Sequence, residues 1–351
     1  MNLFRKNFVI VIGLIILLLV SIILAVSIGA VKIPAYDVYT IITHKALGIS
    51  GIENNIDPSF IDIVWQIRFP RVLLASIVGM GLALGGVIMQ GTVQNPLADP
   101  YILGISSGGT LGATFAMLMA PSIVSISSNY FSVSFCAFLG ALIASMMVFR
   151  LSSIGGRITP VKLILSGIVV NLICSAFSSL LIYMTNDNGQ ARIAADWTMG
   201  SLVSGTWETL LVPFITVTIA TLFFVTQFRV LNAMLLGDES AITLGIDLHK
   251  YRKIYLIIVS ILTGVLVASC GIIGFIGLVI PHITRSLVGT DHKINLPVSM
   301  LIGSIFLIWA DVLARIILKN MEMPIGIITA IIGAPFFMYI MIKRTYTFGE
   351  R

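Results

Sequence analysis

Apolar residues run along this chain in long blocks separated by short polar joints. The first block, Phe8 to Ala30, follows Arg5 and Lys6 and is about as long as a bilayer-crossing helix. It is longer than a signal-peptide core, so it predicts an uncleaved first helix. Further blocks cover 71–91, 101–120, 131–149, 162–184, 209–228, 254–273, 275–290, 296–318 and 326–342. Each predicts a helix, because backbone groups crossing lipid must bond within their own segment. The stretch 254–290 is nearly continuous, and Gly271 to Gly274 is where it divides. The run 275–290 is short and holds Pro281, which predicts a broken or tilted crossing. The pattern is that of an all-α polytopic membrane protein with about ten transmembrane helices.

Two joints are long. Residues 31–67 interleave apolar residues with Lys32, Asp37, Lys45, Asp57 and Asp62, which predicts short interfacial helices in an extracytoplasmic loop. Residues 229–253 carry Asp238, Glu239, Asp247 and a basic run from His249 to Lys253, and read as the longest cytoplasmic loop. No linker or composition break divides residues 1–351, so they form a single membrane domain.

Composition agrees. Hydrophobic residues make up 58% and charged residues 10%, whereas a soluble domain carries roughly a quarter charged residues. The net charge of +6 comes without a basic patch or arm, so no nucleic-acid partner is expected. With the amino end inside and ten helices, two-thirds of the 21 Lys and Arg fall on cytoplasmic joints. That bias places both termini in the cytoplasm.

Chemistry is defined largely by what is missing. No G-x-x-x-x-G-K-[ST] loop exists, so the chain has no visible means of binding ATP. Neither H-E-x-x-H nor a cysteine cluster is present, and Cys136, Cys174 and Cys270 sit in apolar runs as packing residues. No catalytic residue, cofactor or metal site is expected; the protein is not an enzyme. The blocks are almost free of ionisable side chains, which argues against proton- or sodium-coupled transport and for energy supplied by a separate ATPase. Asp311 and Arg315 are the nearest exception; four residues apart, they share a helix face and can form a local ion pair.

Other segments have both a plain and a functional reading. Arg68-Phe69-Pro70-Arg71 opens the second block, where arginines snorkel to phosphates or receive acids of a docking protein. Asn95 to Pro100 holds two prolines and makes a stiff turn. Gly271 to His282 repeats glycine every third residue, which suits close helix packing or a hinge. Leu235 to Ile246 has an acidic helix start and a glycine stop, the mark of a short surface helix that could also receive force from a motor subunit.

In this order the segments resemble the permease family of binding-protein-dependent importers for iron siderophores, haem and cobalamin (FecCD/BtuC-like). The matching stretches are RFPR at 68–71, Gly86 with Met89-Gln90, NPLADP at 95–100 and LGISSGG at 103–109. GDESAITLGI at 237–246, GFIGLVIPHI at 274–283, ADVLAR at 310–315 and PIGIITAIIGAPFF at 324–337 complete the set. The resemblance implies a cobalamin-importer-permease-like fold in the cell membrane, paired with a second permease copy. It implies ABC ATPase subunits on one side and an extracytoplasmic substrate-binding protein on the other. Arg68, Arg71 and Arg315 would then dock the binding protein. Gly237, Asp238, Glu239, Ala241, Leu244 and Gly245 would couple to the ATPase, and Asn95, Pro96, Leu97 and Thr159 would form a cytoplasmic gate. Ferric siderophore is the expected cargo, with haem or cobalamin as alternatives. An ion-coupled secondary transporter and an intramembrane enzyme are the rival classes; the enzyme would need a buried nucleophile, acid pair or metal cluster.

Overall fold

A computed structural model describes residues 2–29, 31–47, 56–119, 129–154, 159–185, 188–318 and 321–343. Arg157, Lys319, Arg344 and Arg351, which entered the charge balance, lie outside the described residues, as does part of the 31–67 loop. All ten apolar blocks are helical. In chain order the helices are α1 Asn2–Ser27, α2 Ala35–Leu47, α3 Pro58–Asp62, α4 Phe69–Val93, α5 Ile105–Leu118, α6 Tyr130–Ser153, α7 Pro160–Met184 and α8 Asn188–Thr198. They continue as α9 Trp207–Thr226, α10 Phe228–Met234, α11 Asp238–Thr243, α12 Leu248–Cys270, α13 Ile276–Val288, α14 His292–Ile316 and α15 Ile325–Lys343.

Among the described residues, seven helical rods are long and apolar enough to cross a membrane: α1, the rod from Pro58 through α4, α6, α7, α9, α12 and α14. The other three expected crossings are shorter. α5 has 14 residues and α13 has 13, about 20 Å at 1.5 Å per residue, against a hydrocarbon core of about 30 Å. The chain divides at Gly271–Phe275 as the glycines suggested, and Pro281 sits inside α13. The block expected from residue 101 is interrupted: Asp99 accepts from Tyr101 N at 2.8 Å and starts a 3-10 turn, Pro100–Leu103, before α5. Helix α8 falls in a joint where no block predicted one. Its eleven residues are amphipathic and polar on average, so a search for apolar runs passes over it. The long loop does carry short helices, α2 and α3, followed by a π-helical turn at Ile63–Arg68.

Local chemistry sets several helix starts. Thr159 caps α7 with Pro160 in its first turn, Thr206 and Thr209 form a reciprocal capping box on α9, and Asp247 caps α12. Helix α4 is the axis of the molecule. Most of the spanning part of its rod is buried, whereas most of α1 is not. It packs on α14, α12, α13 and α9, while α5, α6 and α7 make a second cluster joined through α12. Close packing needs small residues. A Cβ on Gly86 of α4 would lie 2.0 Å from the carbonyl oxygen of Gly277 in α13, so these two backbones touch directly. The exposed faces of α1, α6, α7 and α9 are lined by large apolar side chains, as lipid or a second membrane subunit requires.

Candidate functional site

Apart from Thr159, the predicted site residues gather at the two ends of α4, whose 25 residues separate them by about 37 Å. At its first end lie the three arginines. Their guanidiniums turn into the chain: Arg68 and Arg71 are 7% and 8% exposed, and the Arg315 side chain is 7% exposed.

Two of them finish α1. A helix leaves its last carbonyls without partners and carries partial negative charge there. Arg68 donates from Nη1 to the carbonyls of Val26 (2.9 Å) and Ser27 (3.2 Å), and from Nη2 to that of Val31 (2.6 Å). Arg315 donates to the carbonyls of Ala25 and Ile28, both at 3.0 Å. Asp311, 1% exposed, holds this cation through an ion pair of 3.1 Å from Arg315 Nε. The expected local pair in α14 is therefore present, but its acid also serves α4. Arg71 Nε and Nη2 both sit 2.9 Å from Asp311 Oδ1, and Arg71 Nη1 donates to Glu322 Oε2 at 2.8 Å. Glu322, in the joint between α14 and α15, was not anticipated. Its side chain is 48% exposed. A cavity of about 270 Å³ opens beside Arg71 and Glu322, with Arg192, Asp196 and Met323 on its walls.

At the other end, α4 finishes on Gln94 in the left-handed region (φ 54°). Asn95 Oδ1 accepts from Leu97 N at 2.9 Å and folds the Pro96 turn. Thr159 belongs to a separate element: its hydroxyl accepts from Lys162 N at 3.3 Å, capping α7. No bond joins it to the Asn95 turn among the described residues.

The 237–245 segment contains α11, six residues between Gly237 (φ 96°) and Gly245 (φ 80°), both in the region where glycine is favoured. Ala241 is fully buried, whereas Glu239, Ile242 and Leu244 are exposed. One face of α11 therefore holds to the bundle and the other presents apolar side chains. Asp238 ties it down. Arg252 of α12 grips Asp238 with both Nη atoms (3.0 and 2.6 Å) and donates from Nε to the carbonyl of Thr92 at 3.1 Å. Gln94 donates to Asp238 Oδ1 at 2.9 Å and to the carbonyl of Met234 at 2.7 Å. Gln94 and Arg252 thus fasten the segment to the end of α4. Sequence reasoning missed both, because their partners lie far along the chain or on another helix. In α4 itself, Gln90 donates to the Gly277 carbonyl at 3.2 Å and accepts from Arg285, so the Met89-Gln90 stretch locks onto α13.

Among the described residues no group of His, Cys, Asp and Glu could hold a metal ion. The arrangement offers two charged, mechanically tied ends and a nonpolar body between them.

Comparison with known proteins agrees with the fold. Residues 17–343 match the FecCD transport family. The chain is 40% identical to YvrB of Bacillus subtilis, described as an uncharacterized ABC transporter permease protein, over 93% of this chain and 91% of that one. It is 41% identical to the hemin transport system permease protein HmuU of Yersinia pestis, over 81% of this chain and 85% of that one. It is 40% identical to the cobalamin import system permease protein BtuC of Halobacterium salinarum, over 80% and 74%. A solved metal-chelate-type ABC transporter in an inward-facing conformation superposes with a TM-score of 0.81 at 31% identity, covering 95% of this chain and 99% of that one. With the match running through nearly every helix described above, the chain belongs to the FecCD transport family of ABC transporter permeases.

Proposed function

We propose that this chain is the membrane permease of an ABC importer that carries an iron chelate, with ferric siderophore as the cargo. As a member of a permease family it is the non-catalytic membrane component, and ATP hydrolysis belongs to partner ATPase subunits. The observation that carries the reading is the family match over residues 17–343, supported by the likeness to a metal-chelate-type transporter. The hemin and cobalamin permeases among its relatives make haem and cobalamin the rival cargoes.

In this reading both termini are cytoplasmic, a second permease copy completes the pathway, and the arginine end of α4 faces outward. A loaded substrate-binding protein docks there on Arg68, Arg71 and Arg315. At the opposite end, Gly237 to Gly245 seats in the ATPase; exposed Ile242 and Leu244 on a helix anchored through Asp238 and Ala241 suit that role. Closure of the ATPases moves this segment, and the Arg252 and Gln94 bonds pass the motion to α4 and α12 as a rigid-body switch. The stiff turn at Asn95, Pro96 and Leu97, with Thr159 at the start of α7, forms the inner gate.

The test reconstitutes the permease with its ATPase and binding protein in proteoliposomes and offers ferric siderophores, haem and cobalamin in turn. Ferric siderophore should stimulate ATP hydrolysis and enter the vesicles. Uptake of haem or cobalamin alone would reassign the cargo. Uptake driven by an ion gradient without ATPase or binding protein would overturn the importer reading.

A further inference from the structure

The three arginines at the outward end of α4 are not equally available to a partner. Arg68 and Arg315 are committed to the carbonyls that end α1. An acid arriving from outside would have to strip a helix terminus of its donors to reach them. Arg71 differs. Its inner contacts go to Asp311, which is 1% exposed, while Nη1 meets Glu322, whose side chain is 48% exposed. Glu322 is the solvent-facing acid of the network, and it borders the cavity of about 270 Å³ that opens beside Arg71.

Glu322 can also leave cheaply. It lies in the joint before α15, outside any helix, and that joint is held by its backbone. Met323 N donates to the Ala314 carbonyl at 3.0 Å, Ile325 N to that of Gly200 at 3.1 Å, and Gly326 N to that of Met199 at 3.0 Å. None of these bonds depends on the Glu322 carboxylate. Once it swings away, Arg71 Nη1 faces the cavity while Asp311 still holds the rest of the guanidinium.

We infer that Glu322 is a built-in competitor for the docking site: in the undocked permease its carboxylate occupies the place on Arg71 that an acidic side chain of the substrate-binding protein takes on docking. This rests on the docking proposed for Arg68, Arg71 and Arg315 and sharpens it: Arg71 is the one whose outer bond is exchanged, while Arg68 and Arg315 add their charge from positions fixed by the end of α1. The competitor keeps a buried guanidinium paired while no partner is present, and it weakens resting association so that the binding protein can leave after delivery.

The experiment uses the permease–ATPase complex in nanodiscs and the labelled substrate-binding protein, and measures Kd for wild type, Glu322→Gln, Arg71→Gln and the double variant. A half-exposed ion pair contributes little, so Glu322→Gln should tighten binding by about two- to fivefold, with the gain shrinking at high salt. Arg71→Gln should weaken binding, and in that background Glu322→Gln should add nothing. Glu208→Gln removes an exposed charge from the start of α9 and should leave Kd unchanged. Equal tightening by Glu208→Gln, or an additive double variant, would reduce the effect to overall charge and overturn the inference. If Arg71→Gln weakens binding while Glu322→Gln does not tighten it, the competitor is wrong and docking at Arg71 stands. If neither changes Kd, docking at Arg71 fails as well. Melting curves of each variant confirm the fold before binding is read.

Discussion

Arg252→Ala should detach the α11 segment from the bundle without unfolding it. Arg252 is buried and makes three bonds: two to the Asp238 carboxylate and one to the carbonyl of Thr92. Hydrogen bonds to charged groups are worth about 1.5–3 kcal/mol each before discount. Asp238 is 46% exposed, so water recovers much of its share and the pair counts for far less than a fully buried one. The Thr92 carbonyl is buried and recovers little. Together these suggest about 2–3 kcal/mol lost from the attached state, roughly a 30- to 150-fold shift in local opening. Gln94 still holds Asp238 and the Met234 carbonyl, so opening stays partial. Hydrogen exchange over residues 235–247 of the purified protein reads the opening directly, and substrate carried per ATP in proteoliposomes reads its consequence. Arg252→Lys keeps the charge but loses the planar fork, and should fall between wild type and alanine. Unchanged exchange over 235–247 in Arg252→Ala would refute the latch. Faster exchange with unchanged coupling would refute its role in transmission.

Arg315→Ala removes two donors from the end of α1 and leaves buried Asp311 with Arg71 alone; it should cost about 3–5 kcal/mol, seen as earlier melting in detergent without any binding protein. Gly86→Ala would drive a methyl into the Gly277 backbone and should destabilise by at least about 1–3 kcal/mol, with a lower melting temperature and lower yield. Asp291, outside the spans, links α10 to α14 by accepting from Asn232 at 2.8 Å, and that bond holds its pKa below the usual carboxylate value. Its contribution is therefore complete above the unfolded value of about 3.9 and is lost only as pH falls through the lower folded value. Protection factors over 228–234, which divide out the intrinsic pH dependence of amide exchange, should not change between pH 7 and pH 5; lost protection at pH 5 would contradict the tie.

Charged variants at either end of α4 have to be read against what each side chain already does. A charge reversal at Arg68 or Arg315 would damage α1 before it reported on any partner. That is why the neutral, near-isosteric Glu322→Gln, compared with and without Arg71→Gln, is the cleaner probe of docking.

Much of the architecture could be read directly from residue order. Lipid leaves a backbone no partner but itself, so each apolar block had to be a helix, and all ten are. Gly271 to Gly274 marked the break between α12 and α13, and Gly237 and Gly245 bracketed α11. The eleven polar-rich residues of α8 escaped, since a helix lying outside the apolar blocks leaves no run to find. The arginines show the deeper limit. Arg68 and Arg71, at the mouth of a helix, suggested side chains reaching for lipid phosphates or a docking partner, yet packing turned them inward, because the carbonyls ending α1 needed donors and a buried acid waited on α14. Arg71 and Asp311 are 240 residues apart in sequence, and Arg252 reaches Thr92 across 160. Periodicity reports which face of a helix is apolar; which distant partner meets a buried charge depends on how the helices cross, and only the folded bundle decides that.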